Sequence, residues 1–175
     1  QNDDFPGITA HPITQTIQES GGQGVFTVSL TSKPAASVSV GLTIIGDKCS
    51  VSENPVILTP DTFSGVDVTI TAIDDNLSNN TLDCIIQVGN STSTDPDYEN
   101  LAPTNGAITV TVVDDEEATV SITGVTSQVS ETDGVALITL ALNTPSFQDI
   151  SVDYTTQDQT AVAPDDYVQT SGTLT

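Results

Sequence analysis

Acidic residues are the side chains in this sequence whose type and spacing could do chemistry. Four of them are consecutive, Asp114–Glu117, and pairs recur at Asp3–Asp4, Asp74–Asp75 and Asp165–Asp166. Four adjacent negative charges cannot be buried unpaired, so they must lie at a surface or hold a cation. Calcium fits such a cluster because it takes about six to eight oxygen ligands, largely carboxylates. The alternative is that these acids are only solvated turn residues, since Asp favours turns.

The overall charge excludes several classes of partner. Twenty-four Asp and Glu residues stand against two lysines, which gives a formal net charge of −22. Nothing here could neutralise phosphates, so we expect no nucleic-acid partner, and an anionic membrane surface is excluded for the same reason. No apolar run approaches the roughly 18 residues of a membrane-spanning helix, so we expect no membrane insertion.

Catalysis has little support in the sequence, and we expect that the protein is not an enzyme. The single histidine, His11, lies in a predicted strand, and no serine sits in a recognisable nucleophile elbow. Nothing around Asp165–Asp166 suggests the cleft that glycosidase chemistry needs. The GGQG sequence lacks the lysine of a phosphate-binding loop.

The elements that must position the acids are β-strands. Apolar and polar residues alternate on both sides of the four central acids, in Ile108–Val113 and Ala118–Ile122. Val, Ile and Thr are abundant, and almost no segment has helical spacing. The sequence therefore predicts an all-β protein.

An internal repeat divides the chain. The Asp3–Asp4 pair resembles a shorter copy of the central acids, and Asp4 to Asp115 is a step of 111 residues, from 115 − 4. The strands that follow correspond as well, Val25–Pro34 with Ala136–Pro145. A step of this size is expected for a seven-strand sandwich.

The repeat predicts four segments. Residues 1–4 are the end of a preceding module or a linker, 5–113 form module one, 114–117 form an acidic joint, and 118–175 form a partial module two. By the repeat, module two lacks about its last three strands, and the chain, which has no methionine, is expected to be a piece of something longer. A half-sandwich leaves open strand edges. We therefore expect partners that are neighbouring modules or copies of the same protein, with the missing strands supplied in cis or by exchange with another chain.

The two cysteines predict a compartment. Cys49 and Cys84 are 35 residues apart, and no second Cys or His stands near either at metal-site spacing. We predict a disulfide between them, and the alternative is two unrelated buried thiols. A disulfide indicates an oxidising setting, so we expect the protein to be extracellular or at the cell surface.

Several segments of the sequence resemble a known family. Module two, through VSETDGVALITLAL, ISVDYTT, TAVAPDDY and SGTLT, resembles the Calx-beta motif. Module one, through LTSKP, VTITAIDDN, STDPDYENLAP and ITVTVVDD, resembles a divergent tandem repeat of bacterial extracellular proteins. The resemblance implies tandem immunoglobulin-like β-sandwiches, the second incomplete in this chain, with calcium bound at the end that faces the next domain.

The same resemblance implies a set of calcium ligands. Two departures weaken the site in module one: Asn79 stands where a further acid is usual, and Lys48 falls where a positive charge would oppose a cation. The implied ligands are Glu19, Asp74, Asp75, the carbonyl of Leu77, Asp114 and Asp115 in module one, and Glu131 and Asp166 in module two.

These observations predict a non-enzymatic structural repeat of a large extracellular or cell-surface protein. Such a repeat would act as a spacer, an adhesin stalk or a filament subunit, stiffened by calcium at the joint between modules. The alternative is a ligand-binding module that recognises a glycan or a protein through loops such as Gly89–Asn105. Tyr98 is the chief aromatic residue there, and sugar stacking needs exposed rings.

Overall fold

The chain forms two compact units. The computed structural model describes residues 5–126, 128–132 and 134–175, so the linker predicted for residues 1–4 lies outside the described residues. Unit 1 contains the chain up to Asp75 together with Asn80–Asp115, and unit 2 contains Asn76–Asn79 and Glu116–Thr175. The unit boundary at Asp115 falls inside the segment predicted as an acidic joint.

The regular structure of the described residues is entirely β. None of these residues forms a helix with the length and hydropathy to cross a bilayer. The strands of unit 1 are β1 (Ile8–His11), β2 (Thr14–Gln18), β3 (Gln23–Leu30), β4 (Val38–Ile45), β5 (Cys49–Val51), β6 (Val56–Leu58), β7 (Val66–Ala72), β8 (Leu82–Ser93) and β9 (Ala107–Val113). Those of unit 2 are β10 (Val120–Val125), β11 (Ile138–Leu142), β12 (Val152–Thr155) and β13 (Ser171–Leu174).

Unit 1 is a sandwich of two sheets. The first has the strand order β1-β3-β7-β5 and the second has the order β2-β9-β8-β4-β6. Successive side chains of a strand point to opposite faces, so alternate residues meet between the sheets. This arrangement confirms the predicted immunoglobulin-like fold. The core residues with no measurable exposure come from both sheets: Ile8, Ala10, Phe26, Val28, Val38, Val40, Val56, Leu58, Val68, Ile70, Cys84, Ile86, Ile108 and Val110.

A disulfide joins the two sheets of unit 1, as the cysteines predicted. Cys49 of β5 is bonded to Cys84 of β8, with 6.0 Å between the Cα atoms. The bond connects an edge strand of the first sheet to an inner strand of the second. Both cysteines are buried within the core.

The loop predicted over Gly89–Asn105 is shorter than expected. Strand β8 continues to Ser93, because Ser91 and Ser93 pair with Val40 and Val38 of β4. The sequence hides this extension, since the polar residues at the end of β8 do not alternate with apolar ones.

Tyr98 in the remaining loop is a core residue. Its side chain is 1% exposed, and its hydroxyl donates a hydrogen bond of 2.6 Å to the Ser32 carbonyl oxygen. The Ser32 backbone N–H in turn donates to the hydroxyl over 3.2 Å. Asp95 of the same loop accepts a 2.6 Å hydrogen bond from the Ala35 N–H. The loop therefore packs onto unit 1 and does not present the Tyr98 ring to a ligand.

Unit 2 repeats part of the plan of unit 1. Its strands form two antiparallel pairs, β10–β11 and β12–β13. Val120 pairs with Leu142 in unit 2, as Ile8 pairs with Leu30 in unit 1, and each residue lies 112 positions after its counterpart (120 − 8 and 142 − 30). The strands therefore repeat at a spacing of 112 residues, one more than the spacing of 111 between the acidic pairs. The difference matters because a shift of one residue along a strand moves its apolar side chains to the other face of the sheet.

The described strands of unit 2 have no counterparts of β7, β8 and β9. In unit 1, β7 lies beside β3 and the sheet that contains β8 and β9 packs against it, so Phe26 and Leu30 of β3 are at most 5% exposed. In unit 2, Ile138 is 57%, Leu142 is 43% and Leu174 is 52% exposed. The second sandwich is therefore incomplete within this chain, as predicted.

The burial of Tyr98 gives a first test. The variant Tyr98→Phe should lower the free energy of unfolding by about 1–3 kcal/mol, because the hydrogen-bonding groups of Ser32 lose their partner. The matched control is Tyr154→Phe, since Tyr154 is 41% exposed and the change should stay within about 0.5 kcal/mol. Urea unfolding followed by circular dichroism measures both, and equal losses would contradict the structural role of Tyr98.

Candidate metal centre

Strand pairing brings two of the acidic segments of unit 1 together. Strands β2 and β9 are parallel neighbours, with Gln18 opposite Val113, so their carboxyl ends meet at one edge of the sheet. Glu19 follows β2 directly, and its N–H donates to the Val113 carbonyl oxygen over 2.9 Å. Asp114 and Asp115 follow β9 at the same edge.

The third acidic segment arrives from the other sheet. Strand β7 is antiparallel to β3, so its end lies beside the turn that links β2 to β3. The Ala72 N–H donates to the Gly22 carbonyl oxygen of that turn over 2.9 Å. Asp74 and Asp75 follow within three residues. The fold therefore delivers all three predicted acidic segments to one end of unit 1.

The carboxylates of unit 1 form two close pairs. An oxygen of Glu19 and an oxygen of Asp75 lie within 4.8 Å of each other, and the same holds for Asp74 and Asp115. Glu19 is only 1% exposed, whereas Asp74 and Asp115 are exposed. Asp114 is half-buried beside them. These residues are placed as a cation site requires, and their role as ligands stays a prediction.

Lys48 supplies the positive charge between Glu19 and Asp75. Its Nζ lies 2.8 Å from Glu19 Oε1, and it forms a second ion pair with Asp75 Oδ2. A carboxylate as buried as that of Glu19 requires a charged partner, because an unpaired buried charge is strongly destabilising. Burial lowers the pKa of the Lys48 ammonium, but hydrogen bonds to Asp75 and Glu19 outweigh that effect and raise the pKa above its ordinary value. The ammonium therefore remains charged at neutral pH.

The two carboxylate pairs differ in what they can hold. The Glu19–Asp75 pair already shares the Lys48 ammonium, which offsets one of its two negative charges. Asp74 and Asp115 take part in no ion pair among the described residues. Their exposed oxygens fit a hard cation such as calcium, which prefers carboxylate ligands. The donor set therefore fits calcium at the Asp74–Asp115 pair and opposes it at the Glu19–Asp75 pair.

Lys48 is the functional residue that the implied ligand set left out. The sequence carried the signal, because Lys48 is one of two basic residues among 24 acids and follows directly on Asp47. The position of Lys48 therefore predicts a positive charge that opposes a cation. It does not predict which carboxylates Lys48 contacts, because Glu19 and Asp75 lie 29 and 27 residues away along the chain.

The remaining implied ligands lie in unit 2. Glu131 is exposed, and Asp166 Oδ2 accepts a hydrogen bond of 2.8 Å from the Val162 N–H in its own turn. Leu77, which the resemblance implied as a ligand in module one, belongs to unit 2 instead. In the described part of the chain, neither Glu131 nor Asp166 joins a group of acids that could share an ion. Their metal roles stay predictions.

The single histidine has a polar neighbour and no nucleophile in hydrogen-bond contact. Its Nε2 lies 3.2 Å from the side-chain amide nitrogen of Asn105, on the exposed end of β1. Among the hydrogen bonds of the described residues, none joins His11 to a serine, a cysteine or an acid. The structure thus gives no support to a catalytic role for His11.

Comparison with known proteins points to one family. The Calx-beta domain family matches residues 52–116 and 113–175. The solved Calx CBD1 domain in its apo form is 19% identical, with 65% of this chain and 100% of that chain covered and a TM-score of 0.50. The Calx CBD2 domain is 8% identical, with 67% and 93% covered and a TM-score of 0.51. No curated protein is significantly similar in sequence.

A longer structure is similar as well. The calcium binding domain CBD12 of CALX1.1 is 17% identical, with 62% of this chain covered and a TM-score of 0.50. The present chain spans 44% of the length of that structure. At such identities the likeness shows a shared fold, in agreement with the two-sheet arrangement of unit 1.

The ion pair of Lys48 gives a second test. The variant Lys48→Met should lower the free energy of unfolding by about 3 kcal/mol, the lower end of the range for a broken buried pair, because Asp75 is partly exposed. Adding Glu19→Gln should recover part of the loss by removing the buried charge. Urea unfolding with a chelator present measures both changes.

The other lysine provides the control for this test. Lys33 is exposed, so Lys33→Met makes the same change of net charge and should shift the free energy of unfolding by no more than about 0.5 kcal/mol. If Lys48→Met and Lys33→Met destabilise the protein equally, Lys48 has no special partner.

Proposed function

The chain belongs to the Calx-beta domain family, and from that membership we propose that it is a non-enzymatic structural repeat of a large extracellular or cell-surface protein. The observation that carries the proposal is the repetition of one sandwich plan along the chain, with the same register over the first three residue pairs of β1–β3 and β10–β11. The buried disulfide supports an oxidising setting outside the cytoplasm. Such a repeat serves as a spacer, an adhesin stalk or a filament subunit.

Calcium binding at the end of unit 1 is the second part of the proposal. Asp74 and Asp115 would hold the ion, which offsets the repulsion between their charges. Asp115 follows β9 and Asp74 follows β7, so a shared ion ties the segment leaving unit 1 to the body of the sandwich. Lys48 offsets one of the two negative charges of the Glu19–Asp75 pair without an ion. The proposal therefore assigns one position to a bound cation and the other to a built-in ammonium.

The partners in this proposal are neighbouring modules or copies of the same protein. The exposed apolar residues Ile138, Leu142 and Leu174 of unit 2 support a partner that adds strands. Strand addition supplies main-chain hydrogen bonds to an open edge and side chains to an open apolar face. With a net charge of −22, association of two copies requires enough salt to screen their repulsion.

The calcium proposal predicts a binding constant and its loss. The chain should bind calcium with a Kd of about 10⁻⁴ to 10⁻³ M, as extracellular modules do. The double variant Asp74→Asn/Asp115→Asn should abolish binding, because it removes both carboxylates of the open pair. Isothermal titration calorimetry measures this. A matched control is Asp61→Asn/Asp97→Asn, which changes the net charge equally at exposed positions.

Lys48, which is bound to the neighbouring Glu19–Asp75 pair, should influence the affinity of the Asp74–Asp115 site for calcium. The variant Lys48→Met removes a positive charge close to the site, so it should tighten calcium binding severalfold, whereas Lys33→Met should not. Saturating calcium should also raise the free energy of unfolding by about 2.7 kcal/mol at a hundredfold excess over Kd. If several millimolar calcium gives no heat and no stabilisation, the acids are only a solvated surface.

Association through unit 2 is testable in the same chain. Sedimentation velocity at about 0.15 M salt should show concentration-dependent oligomers, which Ile138→Lys/Leu142→Lys should abolish. The control Ile45→Lys/Ile57→Lys changes residues of unit 1 that are 46% and 45% exposed, and should leave association unchanged. A chain that stays monomeric at every concentration would contradict exchange between copies.

A further inference from the structure

The position of Lys48 depends on a very short strand. Lys48 directly precedes β5, which has three residues and lies at the edge of the first sheet. Among the described strands, β5 pairs with β7 alone, with Cys49 opposite Ala72 and Val51 opposite Ile70. Short edge strands are among the first elements to open locally, because little pairing holds them. An ammonium at the end of a flexible side chain keeps its place only if the backbone that carries it is fixed.

Two contacts fix the backbone next to Lys48. The Ile73 N–H donates to the Lys48 carbonyl oxygen over 2.9 Å, which holds β5 sideways against β7. The next residue, Cys49, is bonded to Cys84, which is fully buried in the second sheet and lies opposite Val110 of β9. The disulfide thus holds the edge strand from across the core, in a direction that strand pairing does not constrain.

We propose that the Cys49–Cys84 disulfide is the positioning element for the Lys48 ammonium. The crosslink keeps β5 closed, so Nζ stays within 2.8 Å of Glu19 Oε1 and in contact with Asp75. Without it, local opening of β5 withdraws the ammonium and leaves the buried Glu19 carboxylate without its ion pair. The inference rests on the proposed function in one respect, since that function gives Lys48 its role as a built-in cation.

A double-mutant cycle measures the ion pair itself. Lys48→Met and Glu19→Gln are made singly and together in the full chain, and urea unfolding of unit 1 is followed with a chelator present. With the disulfide intact, the coupling should be about tenfold in the folding equilibrium constant, within the range for contacting residues. In the Cys49→Ala/Cys84→Ala background it should fall to about twofold or less. Equal coupling in both backgrounds overturns the proposal.

A second cycle separates positioning from general destabilisation. Thr27 Oγ1 donates a 2.6 Å hydrogen bond to Asp67 Oδ1, between β3 and β7 and away from β5. The coupling of Thr27→Val with Asp67→Asn should be the same with and without the disulfide. If this control coupling falls as much as that of Lys48 with Glu19, the disulfide acts on the whole unit and the proposal is wrong.

Native-state hydrogen exchange tests the unmutated chain, which matters if the cysteine variant does not fold. With the disulfide intact, the Ile73 amide and the central amides of β7 should both exchange only through global unfolding of unit 1. Exchange of Ile73 by local opening overturns the proposal. All three measurements are made without calcium. The coupling between Lys48 and Glu19 could fall when the disulfide is removed in a protein that binds no calcium. That outcome would contradict the proposed calcium binding and support this inference.

Discussion

The burial of one carboxylate, that of Glu19, constrains the end of unit 1 more than any other interaction. A charge that is 1% exposed must meet an opposite charge, and this chain has two basic residues with which to do so. Lys48 meets it from a different sheet, and Asp75 shares the same ammonium. The strand ends, the turn before β3 and the short strand β5 are all held in the arrangement that this ion pair requires.

That constraint explains why a strongly acidic chain can close its sandwich at this end. Five acids of unit 1 follow three strand ends that the topology brings together, and each addition of negative charge would repel the others. The Lys48 ammonium offsets one of the two negative charges of the Glu19–Asp75 pair, whereas the exposed pair of Asp74 and Asp115 is left for solvent or a cation. If the exposed pair binds calcium as proposed, a module built in this way keeps its Lys48 ion pair without the ion and responds to calcium at Asp74 and Asp115.

Much of the fold could be predicted from sequence because the signals were local. Alternating residues such as those of β3 and β9 identify strands, and the two cysteines could be paired because no metal-site spacing competed. The extension of β8 to Ser93 was missed because its polar residues are held by pairing with β4, which leaves no periodicity in the sequence. The polar neighbours of Tyr98 predict a loop aromatic. Its burial follows from the distant partner Ser32.

The acidic residues of the candidate site could be predicted from the sequence, but which of them pair with Lys48 could not. The family resemblance implied the same role, that of a calcium ligand, for all five acids of unit 1: Glu19, Asp74, Asp75, Asp114 and Asp115. The structure separates the Glu19–Asp75 pair, in which Glu19 is buried and both carboxylates contact Lys48, from the exposed Asp74–Asp115 pair, which has no ion pair among the described residues. Only the contacts of Lys48 in the folded structure make this distinction. The position of Lys48 in the sequence indicates that its positive charge opposes a cation, but it does not show which carboxylates the lysine contacts.

The most direct test of this account is a crystal structure of the chain grown with calcium, with the ion located by its anomalous scattering. The account predicts an ion bound by Asp74 and Asp115, with Lys48 Nζ still in hydrogen-bond contact with Glu19. An ion seated between Glu19 and Asp75, with the Lys48 side chain displaced into solvent, would contradict it.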